Sequence, residues 1–436
     1  MKNKIMELLS FLFIAFFLIL MSNSVIKTIY GDISLMTYSK YIYICGGVGL
    51  LLYISSKIKN FKFNKYEIIV FVMIILSCLS LLNAIDINIA IFGKYNRYEG
   101  LLVWLSYYIF LLNAMNIKNK YYLLIIIILI STYAIYNTVY GLYQVGVLPK
   151  PSYLRIASPG TQASGFLGHP NFFGSLSCIF YGLVLGIFIK VKFGWKKYLL
   201  AILLLIANLC VIINCSMSAI VGAIVINVVC LIQIIVSIIK KQNNAWPSLG
   251  SLIIGIASFV LVFYVYGINH TNIKNDTMVL FNQAKDVVVD KNLDDNYGTG
   301  RMYIWKNTIE KIKEAPITGY GIDNFAEVFD HKLIVNSREV ADKAHNDYLQ
   351  KALCEGIIAA IIFIVFLLII FFKGAFSKLS PIYYGLFMSF TCYSVQAFFN
   401  ISFINVAPIY FIIIGLLISA LKNKKQDNLL NKESIV

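Results

Sequence analysis

The stretch KAHNDYLQKALCEG, residues 343–356, sets His345, Asn346, Asp347 and Tyr348 in a row at the mouth of the apolar run IIAAIIFIVFLLIIFF. A histidine near its ordinary pKa suits the removal of a proton from a hydroxyl at neutral pH. Asn346 or Asp347 is placed to orient that ring or a sugar. The plainer alternative is a polar residue marking where a helix leaves water, and composition alone favours it. A second group of residues bears on the choice. Only four of the 37 basic residues are arginine: Arg97, Arg155, Arg301 and Arg338. A guanidinium offers a planar fork that grips phosphate through two hydrogen bonds and keeps its proton. Together these groups suit group transfer from a lipid diphosphate. The arginines hold the leaving diphosphate, in place of a metal for which the chain has no Asp-x-Asp pair, and the histidine acts on the acceptor hydroxyl.

Such residues need a frame, and the frame is a membrane bundle. The chain has 436 residues, 59% of them hydrophobic and 13% charged. Apolar runs long enough to cross a bilayer centre on twelve windows: 7–22, 40–56, 66–82, 100–116, 121–143, 172–189, 197–213, 217–239, 248–267, 354–372, 381–399 and 402–421. The start MKNKIMELLSFLFIAFFLILMSN looks like a secretory signal but ends in SNS, a poor cleavage site, so it reads as an uncleaved first helix. With the amino terminus in the cytoplasm and sides alternating, the inner segments carry 20 basic and 4 acidic residues. The outer segments carry the remaining 17 of each, so the whole net charge of +16 lies inside. That is the positive-inside pattern, and both termini fall in the cytoplasm. The inner lysines are scattered over short loops, which argues against nucleic acid as a partner. All four arginines fall outside.

Eight cysteines lie singly through or beside the apolar runs and read as small buried hydrophobes. The four histidines are isolated, and no metal-ligand spacing appears. No metal or other cofactor is expected. The sequons at Asn269, Asn275 and Asn400 are weak signals in an Asn-rich chain.

The chain divides into a nine-helix bundle over 1–267, an outer loop over 268–353, a three-helix bundle over 354–421 and a tail over 422–436. Apart from this loop, only the outer segment at 144–171 is long. Within the loop, RMYIWKNTIEKIKEAP places Met302, Trp305, Ile309 and Ile312 on one helical stripe ended by Pro316. TGYG supplies a turn through Gly319 and Gly321. NFAEVFDHKL then predicts a second amphipathic helix, with Asn324 and Glu327 in cap positions and Phe325, Val328, Phe329 and Leu333 on one face. The pair either roofs a cavity or simply docks on the bundle.

These residues resemble a known family. GTGRMYIWKNTIEKIKEAPITGYGIDNF followed by AHNDYLQKALCEGIIAA is similar to the signature of the O-antigen ligase and O-antigen polymerase superfamily. That signature has a Gly-Arg-x-x-x-Trp helix, a Pro-x-x-Gly-x-Gly turn, and His-Asn-x-Tyr-Leu before a Glu-Gly. SGFLGHPNFFGSL resembles the family's Pro-Asn opening of a central helix, and GKYNRYEGLL its Arg-x-Glu-Gly stretch. The three stretches cover about a quarter of the chain.

The resemblance implies an all-α integral membrane glycosyltransferase of the GT-C type, of about twelve transmembrane helices, with its active site on the outer face of the bacterial cytoplasmic membrane. It implies metal-independent, inverting transfer of a glycan from an undecaprenyl diphosphate carrier to an acceptor hydroxyl on a glycan, lipid or protein, in cell-envelope biogenesis. His345 takes the catalytic position and Arg301 the family's arginine, with Arg155, Arg97 and Arg338 as further diphosphate ligands. Asn346, Asp347, Tyr348, Trp305 and Asn171 are the implied substrate contacts. Trp305 and Tyr348 serve equally as interfacial anchors. One departure stands out. Where many members have Ser-Arg-Gly, this chain reads CSMSAIVG, with Met217 at the arginine position. Polymerase and ligase, including a protein O-oligosaccharyltransferase, differ only in acceptor. The Lys-, Ile- and Asn-rich usage leans slightly towards a surface-polysaccharide polymerase. The rival from another class is a flippase of lipid-linked glycans. The span centres contain no Asp, Glu, Lys, Arg or His and no repeat is evident, which makes transport the weaker reading.

Overall fold

The structure is a computed structural model. It describes residues 2–29, 33–58, 62–149, 162–269, 278–279, 282, 300–329, 333–335 and 339–422. The expectations for Arg155, Arg338, His270, His331 and the tail beyond residue 422 lie outside the described residues.

The described chain is helical throughout, apart from one short ladder. In chain order the helices are α1 (Lys2–Ile29), α2 (Leu35–Lys57), α3 (Lys65–Leu79), α4 (Ile87–Phe92), α5 (Leu101–Ala114), α6 (Lys120–Gln144), α7 (Pro170–Lys190), α8 (Trp195–Ile213), α9 (Met217–Ile239) and α10 (Ala245–Asn269). The outer loop contributes α11 (Arg301–Glu314) and α12 (Phe325–Val328). After them come β1 (Ile334–Val335) and β2 (Glu339–Val340), paired antiparallel, and then α13 (Asp347–Glu355). The chain closes with α14 (Ile357–Ala375), α15 (Pro381–Gln396) and α16 (Ala407–Lys422).

A helix falls on each of the twelve apolar windows. Among the described residues, nine helical segments are long and apolar enough to cross a membrane. α5, α15 and α16 are shorter, at 14, 16 and 16 residues. In hydrocarbon the backbone must satisfy its own polar groups, which is why apolar sequence here becomes helix rather than open strand. Outward faces carry large apolar side chains such as Phe16, Leu51, Val260 and Ile361. These are the surfaces that a lipid environment accommodates.

α7 is the axis of the bundle. Its apolar window is 94% buried, against 22–44% for the other eight candidate spans. Small residues allow that burial. A Cβ on Gly182 would lie 2.6 Å from the Met388 carbonyl oxygen, and one on Gly186 would lie 2.7 Å from the Gly385 Cα. α7 and α15 therefore meet backbone to backbone, a contact available only to small residues at a four-residue spacing.

The outer loop departs from its expected pattern in two places. α11 does end before Pro316, but its buried stripe is Ile304, Thr308 and Ile312, at a strict spacing of four, while Ile309 is 44% exposed. The Met302–Trp305–Ile309–Ile312 stripe is therefore corrected by about a quarter of a turn. The second amphipathic helix is a single turn, α12, in which Asn324 makes no side-chain cap. Its amide instead clamps another loop: Oδ1 accepts from Asp86 N at 2.9 Å, and Nδ2 donates to Asp86 O at 3.2 Å. With its cap diverted, the helix gives way to the β1–β2 ladder, which the all-α expectation did not include.

The TGYG turn is as expected, with φ of +65° at Gly319 and +90° at Gly321. Gly319 has no alternative, because a Cβ there would lie 2.5 Å from the Leu353 carbonyl oxygen. The turn straps onto the end of α13. Tyr320 N donates to Leu353 O at 3.1 Å, Gly321 N to Cys354 O at 2.9 Å, and Ile357 N to Pro316 O at 2.8 Å.

Candidate functional site

The segment that carries His345 is held from several directions. Ala344 N donates to Gln350 Oε1 at 2.8 Å, and Ala344 O accepts from Trp305 Nε1 at 3.0 Å. Asn346 caps α13, its Oδ1 accepting from Tyr348 N at 3.0 Å and Leu349 N at 3.1 Å. Between these anchors His345 takes φ of +50°, a left-handed conformation uncommon outside glycine. Its Nδ1 is buried and hydrogen-bonds to no described residue.

Ionisable groups from four parts of the chain act on the ring. Burial, then the nearby Arg301 guanidinium, push the His345 pKa down to about 4, with Arg97 and His169 adding to the effect and Asp342 opposing it. The imidazole is therefore neutral at physiological pH, the form that accepts a proton.

Arg301 is the first residue of α11, where the helix dipole disfavours a cation, so helix stability does not account for its position. Burial lowers its pKa, as expected of a charge poorly compensated by solvent. Arg97 Nε donates to Asp342 Oδ2 at 2.7 Å, and its guanidinium carbon lies 5.6 Å from the Phe172 ring centre. Phe172 in turn stacks on Phe403 at 3.8 Å. Burial opposes ionisation of Asp342, but the Arg97 bond outweighs it and holds the carboxyl below its usual range.

His169 caps α7, with its Nδ1 accepting from Asn171 N at 3.1 Å. With Nδ1 an acceptor, the neutral ring keeps its proton on Nε2.

A second cluster lies on the inward side of the same segment. Lys343 Nζ bonds Glu99 Oε2 at 2.7 Å and lies 3.4 Å from Asp323 Oδ1. Glu99 also accepts from Tyr107 Oη at 3.0 Å and Ser402 Oγ at 2.9 Å. Ser402 N donates to Asp347 Oδ1 at 2.6 Å. Burial raises the pKa of Asp323 and pushes Asp347 up to about 7, with Glu99 the next contribution to Asp347. Burial works against the Lys343 ammonium, but Asp323 and Glu99 outweigh it and raise that pKa.

The structure thus brings His345, Arg301 and Arg97 into one electrostatic neighbourhood. It places the other expected residues differently. Asp347 does not orient the imidazole; its carboxyl turns inward to Ser402 and Glu99. Tyr348 Oη donates to Ser394 O at 2.7 Å, Asn346 is committed to its cap, and Trp305 to Ala344. Asn171 Oδ1 accepts from Ser216 Oγ at 3.1 Å, and its carbonyl accepts from Asn400 Nδ2 at 2.9 Å. The Asn171 side chain therefore sits at the start of α9, beside Met217. Among the described residues no three His, Cys, Asp or Glu side chains converge as metal ligands.

The sequence reading missed His169, Asp342 and the Glu99–Lys343–Asp323 cluster. His169 had a usable signal, a potential cap followed by proline at the first helical position. Glu99 stood in the Arg-x-Glu-Gly stretch, but its pairing with Lys343, like that of Asp342 with Arg97, had no local signal because the partners lie more than 200 residues apart.

A family model described as O-antigen ligase matches residues 199–364, from α8 through His345 into α14. No curated protein matches the chain.

Proposed function

Taking the chain as a member of the O-antigen ligase/polymerase superfamily, which the match at residues 199–364 supports, we propose that it is a metal-independent membrane glycosyltransferase. In this reading it moves a glycan from a polyprenyl diphosphate carrier to an acceptor hydroxyl at the outer face of the cytoplasmic membrane. The family match indicates an O-antigen ligase-like function in a multi-pass membrane protein. Donor, acceptor and stereochemistry are our extension of it. All twelve apolar helices cross in this reading. The shorter α15 is lengthened by the 3₁₀ turn Ala397–Phe399 that follows it.

One observation carries the proposal: a neutral histidine with a buried Nδ1, flanked by two arginines from separate parts of the chain. Nε2 of His345 is the nitrogen left for a substrate and takes the proton of the acceptor hydroxyl. The acceptor oxygen forms its bond to the anomeric carbon from the side opposite the diphosphate. The bond from that carbon to the diphosphate oxygen breaks, and its electron pair leaves on the diphosphate. The anomeric centre is inverted. Arg301 and Arg97 offset the charge that builds on the leaving group, where fixed cations act most strongly. Burial first, and then the charge of these arginines, hold His345 at a low pKa before donor binds. An anion between the arginines cancels their repulsion and raises the basicity of the ring when it is needed.

The test is transfer in membranes supplied with a lipid-linked glycan from a cell-surface polysaccharide, comparing wild type with His345→Ala at matched protein level. A fall of about 10²–10⁴ is the expected outcome, and a ladder of products marks polymerisation whereas a single addition marks ligation. Wild-type transfer by His345→Ala would end this account. So would flipping of the lipid-linked glycan by purified protein with no transfer at all.

A further inference from the structure

The substrate-facing cluster and the inward cluster share one short segment, residues 342–347. Lys343 lies two positions before His345 and Asp347 two positions after. Both turn away from the substrate side, and both end on Glu99, Lys343 directly and Asp347 through Ser402. Glu99 itself is 1% exposed and receives bonds from three elements: Tyr107 on α5, Lys343 on the histidine segment and Ser402 before α16. Nothing about proton transfer at His345 requires a carboxylate there. Something must nevertheless hold His345 in its left-handed backbone conformation, which an unrestrained histidine abandons.

We propose that Glu99 is a positioning residue for His345, fixing the backbone on both sides of it through Lys343 and through the Ser402–Asp347 bridge. This deepens the glycosyltransferase reading and rests on it for its meaning, although its test does not.

Three buried carboxyl groups, Glu99, Asp323 and Asp347, meet the Lys343 ammonium, and the Lys351 ammonium, itself paired with the buried Glu355, also acts on Asp347. Full ionisation leaves an excess of negative charge in a low-dielectric site, so the cluster retains a proton, consistent with the raised Asp347. Neutralising Glu99 removes the centre of that balance and releases Lys343. His345 then relaxes out of its buried position, away from Arg301 of α11, Arg97 before α5, His169 of α7 and Asp342 of its own segment.

The experiment uses full-length protein and diethyl pyrocarbonate, with acylation of His345 followed by peptide mass spectrometry. The measured quantity is the rate at pH 5.5 divided by the rate at pH 7.5, with N-acetylhistidine run alongside as the freely exposed comparison. The ratio reports protonation and cancels accessibility. Wild type is expected near one, since a ring titrating at about 4 is neutral at both values. In Glu99→Gln the ratio falls towards about one-tenth, the value for a histidine with an ordinary pKa of ~6.5. The double variant Glu99→Gln/Lys343→Gln, which removes both charges together, recovers much of the wild-type ratio. An unchanged ratio in Glu99→Gln overturns the proposal. If that variant does not accumulate, Ser402→Ala takes its place, with a smaller fall expected and an unchanged ratio again overturning it. Loss of the transfer reading, by contrast, appears as wild-type activity in His345→Ala and leaves this ratio untouched.

Discussion

Residues 342–347 face two environments of opposite character. On one side Asp342 and His345 meet Arg97, Arg301 and His169, a neighbourhood in which two guanidinium groups act on one imidazole. On the other, Lys343 and Asp347 meet Glu99 and Asp323, a sealed cluster with more carboxyls than ammonium groups. The first keeps a histidine neutral beside two arginines. The second closes its hydrogen bonds internally and binds three distant parts of the chain. A difference in side-chain direction over six residues separates the proposed site from the carboxyl-rich cluster behind it.

Four measurements break or sharpen this contrast. The largest effect is expected from Arg301→Lys, which keeps the charge but loses the fork. Transfer should drop by about 10² if a diphosphate is gripped there, and near-wild-type activity would reduce Arg301 to a diffuse charge. Next is the acid limb of kcat/KM. Protonated His345 cannot accept a proton, so activity is lost as pH falls through about 4 in the free enzyme. In Arg301→Met a repelling charge is gone, and the limb should move up in pH. A downward move contradicts the electrostatics of the open side.

The sealed side predicts a different pH dependence, read in stability. Asp347 is raised to about 7 from an ordinary ~3.9, so the folded chain holds a proton that the unfolded chain gives up. Its contribution is complete below about pH 4 and is lost as pH rises to about 7, with a slope of at most about 1.4 kcal/mol per pH unit. Asp347→Asn should flatten thermal stability across that window, and an unchanged slope would mean the carboxyl is ionised throughout. The smallest effect is expected on α11. Ile309→Ala should stay within about 0.5 kcal/mol, whereas Ile304→Ala, on the buried face, should cost about 2–4 kcal/mol. Equal losses would restore the stripe expected from the sequence.

What was legible follows the range of the forces involved. Apolar runs are local, and each expected window received a helix, because a bilayer leaves the backbone no other arrangement. The turn at Gly319 and Gly321 was equally local. The short α12 was not, since Asn324, apparently a cap, spends its amide on Asp86 across 238 positions. The grouping of the candidate site was legible where a motif carried it, since the fold brings His345 and Arg301 into one electrostatic neighbourhood. It was illegible where charge pairing decides, because Glu99 reaches Lys343 over 244 positions and nothing in either neighbourhood names the other. Asp347 shows the cost of reasoning from adjacency. Two residues beyond His345 along a helix start, it points to the far side of the backbone.

The strap of residues 316–321 across the end of α13 has one more consequence. An ordinary helix that stops near the hydrocarbon boundary leaves carbonyl oxygens bare, and each bare group there costs several kcal/mol. Here the backbone N–H groups of Tyr320 and Gly321 stand in for water at Leu353 and Cys354. The chain can therefore change direction at Gly356, between α13 and α14, without drawing solvent inward. In the proposed transfer water is a competing nucleophile, and a bend that needs no water of its own favours that reaction.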